Sequence, residues 1–252
     1  MQKHLTILTG ASRGMGLALA QELLAPDALL LCIARHANDA LARQAAACGA
    51  ELHQWQMDLG TPMEAALRLR AWLAAQDPAQ LASATLVNNA GVIAPLTALR
   101  DADLAAQAQA LRVGLEAPMA LCTAFLGATQ AWTLVPRKVL NVSSGLGRRA
   151  MAASASYCAA KAGMDHFTRC LALEEAQQAH GARVCSLAPG VIDTDMQLQL
   201  RSADAAQFPD QHAFASLKEK GQLTTAADAA QRLLAYLARP DFGAEPVADV
   251  RN

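Results

Sequence analysis

The stretch SYCAAKAG, residues 156–163, sets Tyr157 and Lys161 four positions apart in a chain with only two tyrosines. On an α-helix, residues i and i+4 share a face, so the phenol and the ammonium can point into one space. A cation beside a phenol favours the phenolate and lowers a pKa that is about 10 in model peptides. The spacing therefore predicts a tyrosine able to give and take a proton near neutral pH. The plain alternative is a Tyr and a Lys on a solvated helix face, and the pair alone does not choose.

Four other stretches could share a site with this pair. TGASRGMG (9–16) follows a strand-like run and opens a helix-like one. Gly10, Gly14 and Gly16 permit a tight turn and let backbone N–H groups approach a phosphate at the helix N-terminus. A simple strand-to-helix turn would use the same glycines. NNAG (88–91) puts two amides and a glycine at the end of another strand-like run. There a planar ring could approach closely, or the Asn residues could simply form the turn. NVSSGLG (141–147) brings the hydroxyls of Ser143 and Ser144 to a third such end, and APGVIDTDM (188–196) closes a fourth with a Pro-Gly turn.

The elements that must position these groups alternate along the chain. HLTILT (4–9), ALLLCIA (28–34), ELHQWQ (51–56), ATLVNN (84–89), KVLNVS (138–143) and ARVCSLA (182–188) read as six strands. Between them come helical stretches: GMGLALAQELLA after the first strand, one through Ala47, and TPMEAALRLRAWLAAQ with Pro62 suited to a first turn. Two long helices are expected over about 101–129 and 154–178. Strict alternation of strand and helix predicts an α/β fold, a single-domain Rossmann-type doubly wound parallel sheet with helices on both faces. One domain is expected over 1–252. The polar stretch 191–222 breaks the rhythm at the carboxyl edge of the sheet, where ligands bind, and is read as a substrate lid. TTAADAAQRLLAYLA then resumes a helix, with Thr224 or Thr225 as its cap.

Composition narrows the function classes. The chain has 252 residues, 53% hydrophobic and 4% aromatic, so its core is one of Ala, Leu and Val. A net charge of −1 and the lack of a basic stripe argue against nucleic acid. The six cysteines show no CxxC and no metal-ligand spacing with His, so no metal is expected. MQKHLTILTG reads as the start of a strand rather than a signal peptide, and no apolar run is read as a membrane span. A cytoplasmic protein with no membrane partner is expected.

Taken together, TGxxxGxG, NNAG, a Ser thirteen residues before Tyr, YxxxK and PGxIxT resemble the short-chain dehydrogenase/reductase family in their order, over residues 9–196. The resemblance implies that Tyr157 protonates a substrate carbonyl oxygen as hydride reaches the carbon. It implies that Lys161 lowers the phenol pKa and holds the nicotinamide ribose, and that Ser144 hydrogen-bonds the carbonyl while Ser143 supports the turn. Gly10, Ser12, Arg13, Met15 and Gly16 would hold the pyrophosphate and adenosine, and Asp58 the adenine amine. Asn89, Ala90 and Gly91 would flank the adenosine ribose, Ile192 and Thr194 the nicotinamide carboxamide, with Leu59, Pro189 and Gly190 completing the cofactor contacts.

An acid about 20 residues beyond the glycine turn would bind the ribose 2′-hydroxyl of NADH. Here that strand ends CIARH, with Ala34 in the acid's place and Arg35 beside it. Arg13 can reach the same point, so NADP(H) is the expected cofactor, unless both arginines are merely solvated. The stretch PGVIDTDMQLQLRSADAAQFPDQHAFASLKEKGQL resembles sepiapterin-reductase-like and benzil-reductase-like members through DTDMQ…R…FP…F…LKE…G. It implies an NADPH-dependent carbonyl reductase of ketones or vicinal dicarbonyls. The end, VADVRN, lacks a match to the acid that grips a pterin ring. The alternatives are a catalytically silent NADP(H)-binding member acting as a sensor or scaffold, against which an intact Ser144, Tyr157 and Lys161 argue, and a dehydratase or epimerase.

Two features concern the long helices. They are apolar around more of their circumference than one sheet face covers, and in the family they pair across a two-fold axis, so a homodimer or homotetramer is expected. RVGLEAP places Gly114 where many relatives carry an Asn in a VNLxxP-like segment. The resemblance implies a distorted helix there, whose main-chain carbonyl holds a water leading to the lysine. Gly114 keeps that carbonyl, so activity is expected to survive and Gly114→Ala to cost little activity. A close-packing glycine or a broken proton relay are the alternatives.

Overall fold

Seven strands, most of them rich in Leu, Val and Ala, form one parallel sheet in the computed structural model, which describes residues 2–251. They are β1 (Lys3–Thr9), β2 (Ala28–Ala34), β3 (Glu51–Gln56), β4 (Leu81–Asn88), β5 (Arg137–Val142), β6 (Arg183–Ala188) and β7 (Val247–Asp249). Their order is β3-β2-β1-β4-β5-β6-β7. The chain steps outward in one direction from β1 to β3, then crosses back to place β4 on the other side of β1. That reversal opens a crevice at the carboxyl ends, the ligand position in open parallel sheets. ALLLCIA is buried at every position of β2, because in a parallel sheet both faces are covered. The short β7 is a strand beyond the six read from the sequence. Its three residues follow a polar turn and carry no periodicity of their own.

On one face lie α1 (Gly14–Glu22), α2 (Asp39–Cys48) and α9 (Ala226–Ala238), packed over Leu8, Leu30, Val87, Leu140 and Leu187. On the other lie α3 (Pro62–Ala74), α5 (Ala117–Thr129) and α6 (Ala155–Glu175), around Leu5, Ile7, Leu86, Val139 and Phe125. Local chemistry sets the helix ends. Asn38 accepts from Leu41 N to start α2, and Gly49 closes it in the left-handed conformation. Of the two candidate threonines, Thr225 caps α9, accepting from Asp228 N while its hydroxyl donates to the Asp228 carboxylate.

The helix expected over 101–129 is more complex than the sequence reading. Asp103 accepts from the backbone N–H groups of Ala105 and Ala106, so α4 (Leu104–Leu111) starts there, after a single 3₁₀ turn. Between α4 and α5 the turn widens to a π-helix over Arg112–Glu116. Pro118 has no N–H to give the carbonyl of Gly114, four residues back, and its ring crowds that carbonyl, so an α-turn cannot close there. Contrary to the sequence reading, the run Leu104–Thr129 is long and apolar enough to cross a membrane by length and composition; half of its most apolar window is buried, as in a core helix.

The stretch 191–222 is not irregular. It carries α7 (Asp195–Arg201) and α8 (Gln211–Glu219), anchored by a small apolar cluster of Leu96, Met151, Leu200 and Phe208.

Gly114 lies against α6, where an added Cβ would come 3.0 Å from the Cβ of Ala160. To admit an alanine there the Ala160 methyl must give by a few tenths of an ångström, a matter of stability and separate from the expectation for activity. Overpacking costs about 1–3 kcal/mol, and the better helix propensity of Ala returns about 1 kcal/mol. Urea unfolding of Gly114→Ala should show net destabilisation, and adding Ala160→Gly should recover part of it. A single variant as stable as wild type would mean that the two helices separate freely.

Candidate active site

The chemistry-bearing groups gather where β5 ends and α6 begins. Ser143 and Ser144 follow β5, and the Ser144 hydroxyl accepts from Leu146 N at 3.1 Å to cap a 3₁₀ turn over Gly145–Gly147. On α6, Tyr157, Lys161 and Asp165 recur every four residues and so share one face. Asp165 is 2% exposed and accepts from Ser143 Oγ at 2.5 Å, Ser186 Oγ at 2.7 Å and Arg148 Nε at 3.2 Å. That carboxylate ties the helix to β5, to β6 and to the loop after β5. Deeper in the same interface, Asn88 donates to Asn141 and Asn141 to Thr168 of α6. Ser143, read from the sequence as a support of the turn, instead donates to Asp165, and Ser144 caps the turn.

Lys161 is 4% exposed and donates from Nζ to the carbonyl of Val142 at 2.6 Å. Burial pushes its pKa down to about 8, against a partly compensating pull upward from Asp165 one turn away. The ammonium sits 5.9 Å from the centre of the Tyr157 ring. The phenol pKa is raised, because the surrounding protein disfavours the phenolate; the Ser144 hydroxyl bonded to it pulls in the other direction. The sequence reading expected a phenol lowered by its lysine. In the protein without ligands, desolvation decides the direction, and the lysine's hydrogen bond is spent on the β5 carbonyl.

Across the crevice, the glycine turn is locked to the end of β4. Thr9 Oγ1 accepts from Asn89 N at 3.0 Å and Ala90 N at 2.9 Å, and Asn89 Nδ2 donates to Thr9 O at 2.9 Å. The Asn89 Nδ2 thus holds the turn. A Cβ at Gly16 would lie 2.1 Å from the carbonyl oxygen of Gly10, so only glycine lets α1 begin this close to the turn. Such a cradle of backbone N–H groups fits a phosphate.

These parts line one cleft of about 760 Å³. Every residue that the sequence marked as catalytic or cofactor-contacting lies on its wall, from Gly10, Ser12 and Arg13 through Asn89, Ser144 and Tyr157 to Ile192 and Thr194. Arg35 also lines it and has no ion-pair partner among the described residues. Arg13 is paired with Asp195 of α7 at 2.9 Å, across the cleft mouth. One oxygen of Asp58 accepts from Gly60 N at 2.8 Å. The sequence reading gave no role to Gln109, Leu146, Arg149, Gln197, Phe214 and Arg251 of the wall, although Leu146 lies in NVSSGLG and Gln197 and Phe214 in the DTDMQ…F pattern. It also missed Asp165, although its i+4 spacing from Lys161 was visible. Cys32, Cys122 and Cys185 have thiols pushed up to about 12 by burial, which suits packing and not chemistry.

The model of the short chain dehydrogenase family matches residues 4–205. Benzil reductase ((S)-benzoin forming) of Bacillus cereus is 30% identical over 236 residues, covering 94% of each chain. Sepiapterin reductase of Meriones unguiculatus is 34% identical over 249 residues, covering 94% of this chain and 92% of the relative. A metagenomic short-chain oxidoreductase solved in complex with NADP superposes with a TM-score of 0.72 at 26% identity, covering 98% of this chain and 95% of the other.

The burial of Lys161 has a consequence for stability. Its folded-state pKa of about 8 lies below the ordinary 10.5, so the folded protein binds this proton more weakly than the unfolded chain does. The group therefore opposes folding below pH 8, and the penalty is relieved as pH rises from 8 towards 10.5. Measured against Lys161→Met without cofactor, wild-type unfolding free energy should gain about 3 kcal/mol across that window. A flat or falling difference in urea titrations would show that Lys161 keeps its proton.

Proposed function

Because the chain belongs to the short-chain dehydrogenase family, we propose that it is an NADPH-dependent carbonyl reductase acting on a ketone or vicinal dicarbonyl, a reading supported by its likeness to relatives named benzil reductase and sepiapterin reductase. The observation that carries this reading is the convergence of Ser144, Tyr157 and Lys161 in one cleft with the glycine turn. When bound, NADPH supplies the hydride. The N–H groups of the glycine turn would hold its pyrophosphate, and Arg35 and Arg13 its 2′-phosphate, Arg13 by exchanging Asp195 for the stronger anion. Lys161 would hold the nicotinamide ribose, and Ile192 and Thr194 the carboxamide.

In the protonation step, the raised pKa keeps the Tyr157 phenol protonated at neutral pH, as an acid must be before it acts. Ser144 Oγ donates to the substrate carbonyl and orients its oxygen toward the phenol. Tyr157 gives its proton to that oxygen, and Lys161 beneath it stabilises the phenolate left behind. The segment 191–222 would close the site as a lid, held by the seating of Phe208 among Leu96, Met151 and Leu200. The exposed Leu104, Met119 and Leu173 on α4, α5 and α6 support association through these helices into a homodimer or homotetramer. Six free thiols fit a reducing cytoplasm.

Three measurements test the reading. Reduction of benzil, phenylpropanedione or sepiapterin should consume NADPH, and Tyr157→Phe should lower kcat about 10²–10⁴-fold with NADPH affinity nearly unchanged. A variant keeping a tenth of wild-type turnover would remove Tyr157 from the role of acid. Wild-type protein should prefer NADPH, and Arg35→Asp should move the preference toward NADH; equal efficiency of wild type with both cofactors would overturn the assignment. Sedimentation at micromolar concentration should give a dimer or tetramer, and a monomer would refute the association.

A further inference from the structure

Gln197 lies on the inner face of α7 and forms part of the wall of the cleft that Ser144 and Tyr157 also line. It is 3% exposed, and neither its Nε2 nor its Oε1 has a hydrogen-bond partner among the described residues. Elsewhere the wall includes the apolar Ile93, Val113, Leu146, Leu200 and Phe214. A buried amide with both ends unmet costs free energy that a Met or Leu would not, so its place needs a ligand to justify it. The helix that carries it is anchored by Leu200, which is buried against Leu96, Met151 and Phe208. Rotation about the terminal bonds of the side chain can present the amide to a molecule in the cleft.

We propose that Gln197 is the residue that reads the group next to the reacting carbonyl. Its Nε2 donates to the oxygen of a second carbonyl on the adjacent carbon, and its Oε1 accepts from an N–H carried there. The preferred substrates are then vicinal dicarbonyls and α-keto amides, the second satisfying both ends of the amide. A simple ketone leaves both ends unpaired, and a site built to hydrogen-bond a group discriminates against ligands that lack it. This assignment rests on the carbonyl-reductase reading above.

The test is the steady-state kcat/KM with NADPH for acetophenone, phenylpropanedione and phenylglyoxamide, three neutral phenyl ketones that differ in the neighbouring group. Wild type should favour phenylglyoxamide and phenylpropanedione over acetophenone. Gln197→Met, of similar length but apolar, should lose about ten-fold of that preference. Gln197→Glu, which keeps acceptor oxygens and loses the donor, should lose the preference for phenylpropanedione and keep part of that for phenylglyoxamide. Because the amide has no protein partner, the melting temperature of Gln197→Met without ligands should equal or exceed that of wild type. Preference ratios unchanged in both variants would overturn this assignment alone. So would a smaller NADPH-induced rise in melting temperature for Gln197→Met, which would put the amide on the cofactor. Wild type that binds NADPH and reduces none of the three would overturn the carbonyl-reductase reading and this assignment with it.

Discussion

A buried carboxylate holds the site together. Asp165 takes hydrogen bonds from Ser143, Ser186 and Arg148, so one side chain on α6 joins the helix to two strands and the loop beyond β5. Charge-assisted bonds of this kind are short and directional, and in a low-dielectric interior they resist rearrangement. Arg148 carries the connection outward, donating to the carbonyl of Ala248 and lying 4.0 Å from Asp249, which Arg251 clasps through two further bonds. The last strand and the end of the chain are thus coupled to the helix that carries Tyr157 and Lys161. Rotation or sliding of α6 would break several of these bonds at once, which is why the phenol and the ammonium keep their place without a ligand.

The same helix is fixed from behind by close packing. The Gly114–Pro118 pair widens one turn of the neighbouring helix, and the missing side chain lets it approach Ala160, one residue before the lysine. Here a backbone irregularity serves packing. Together the carboxylate and the glycine leave α6 little freedom, one from the sheet side and the other from the helix side.

Electrostatics in the cleft are a balance between desolvation and pairing. Lys161 loses part of its affinity for a proton, and Tyr157 becomes harder to ionise, because both lie in protein rather than water. Arg13 satisfies its charge with Asp195 at the mouth, whereas Arg35 carries an unpaired charge among the described residues. A 2′-phosphate bound as proposed would meet one free guanidinium and one that must give up Asp195, which would release the glycine turn from α7.

By itself, the sequence determined what is periodic or local. Alternating apolar runs and helical stretches dictated the doubly wound sheet, since each element can bury its face in only one way. Tyr157 and Lys161 announced themselves through helical spacing, Gly10 and Gly16 through a turn that suits glycine, and the α9 cap as one of Thr224 and Thr225. The widened turn was also within reach, because Pro118 forbids the bond to Gly114. Tertiary structure alone decided what depends on residues distant in the chain. The direction of the Tyr157 and Lys161 pKa shifts follows from burial, which no spacing reveals, and reversed the expectation for the phenol. The Asp195–Arg13 pair joins positions far apart in sequence, and the cost of a side chain at Gly114 depends on Ala160 facing it across a helix contact. Gln197 and Arg251 belong to the wall only because the sheet order brings α7 and the end of the chain to the same carboxyl edge. Motifs record local geometry, whereas burial and pairing are properties of the assembled fold.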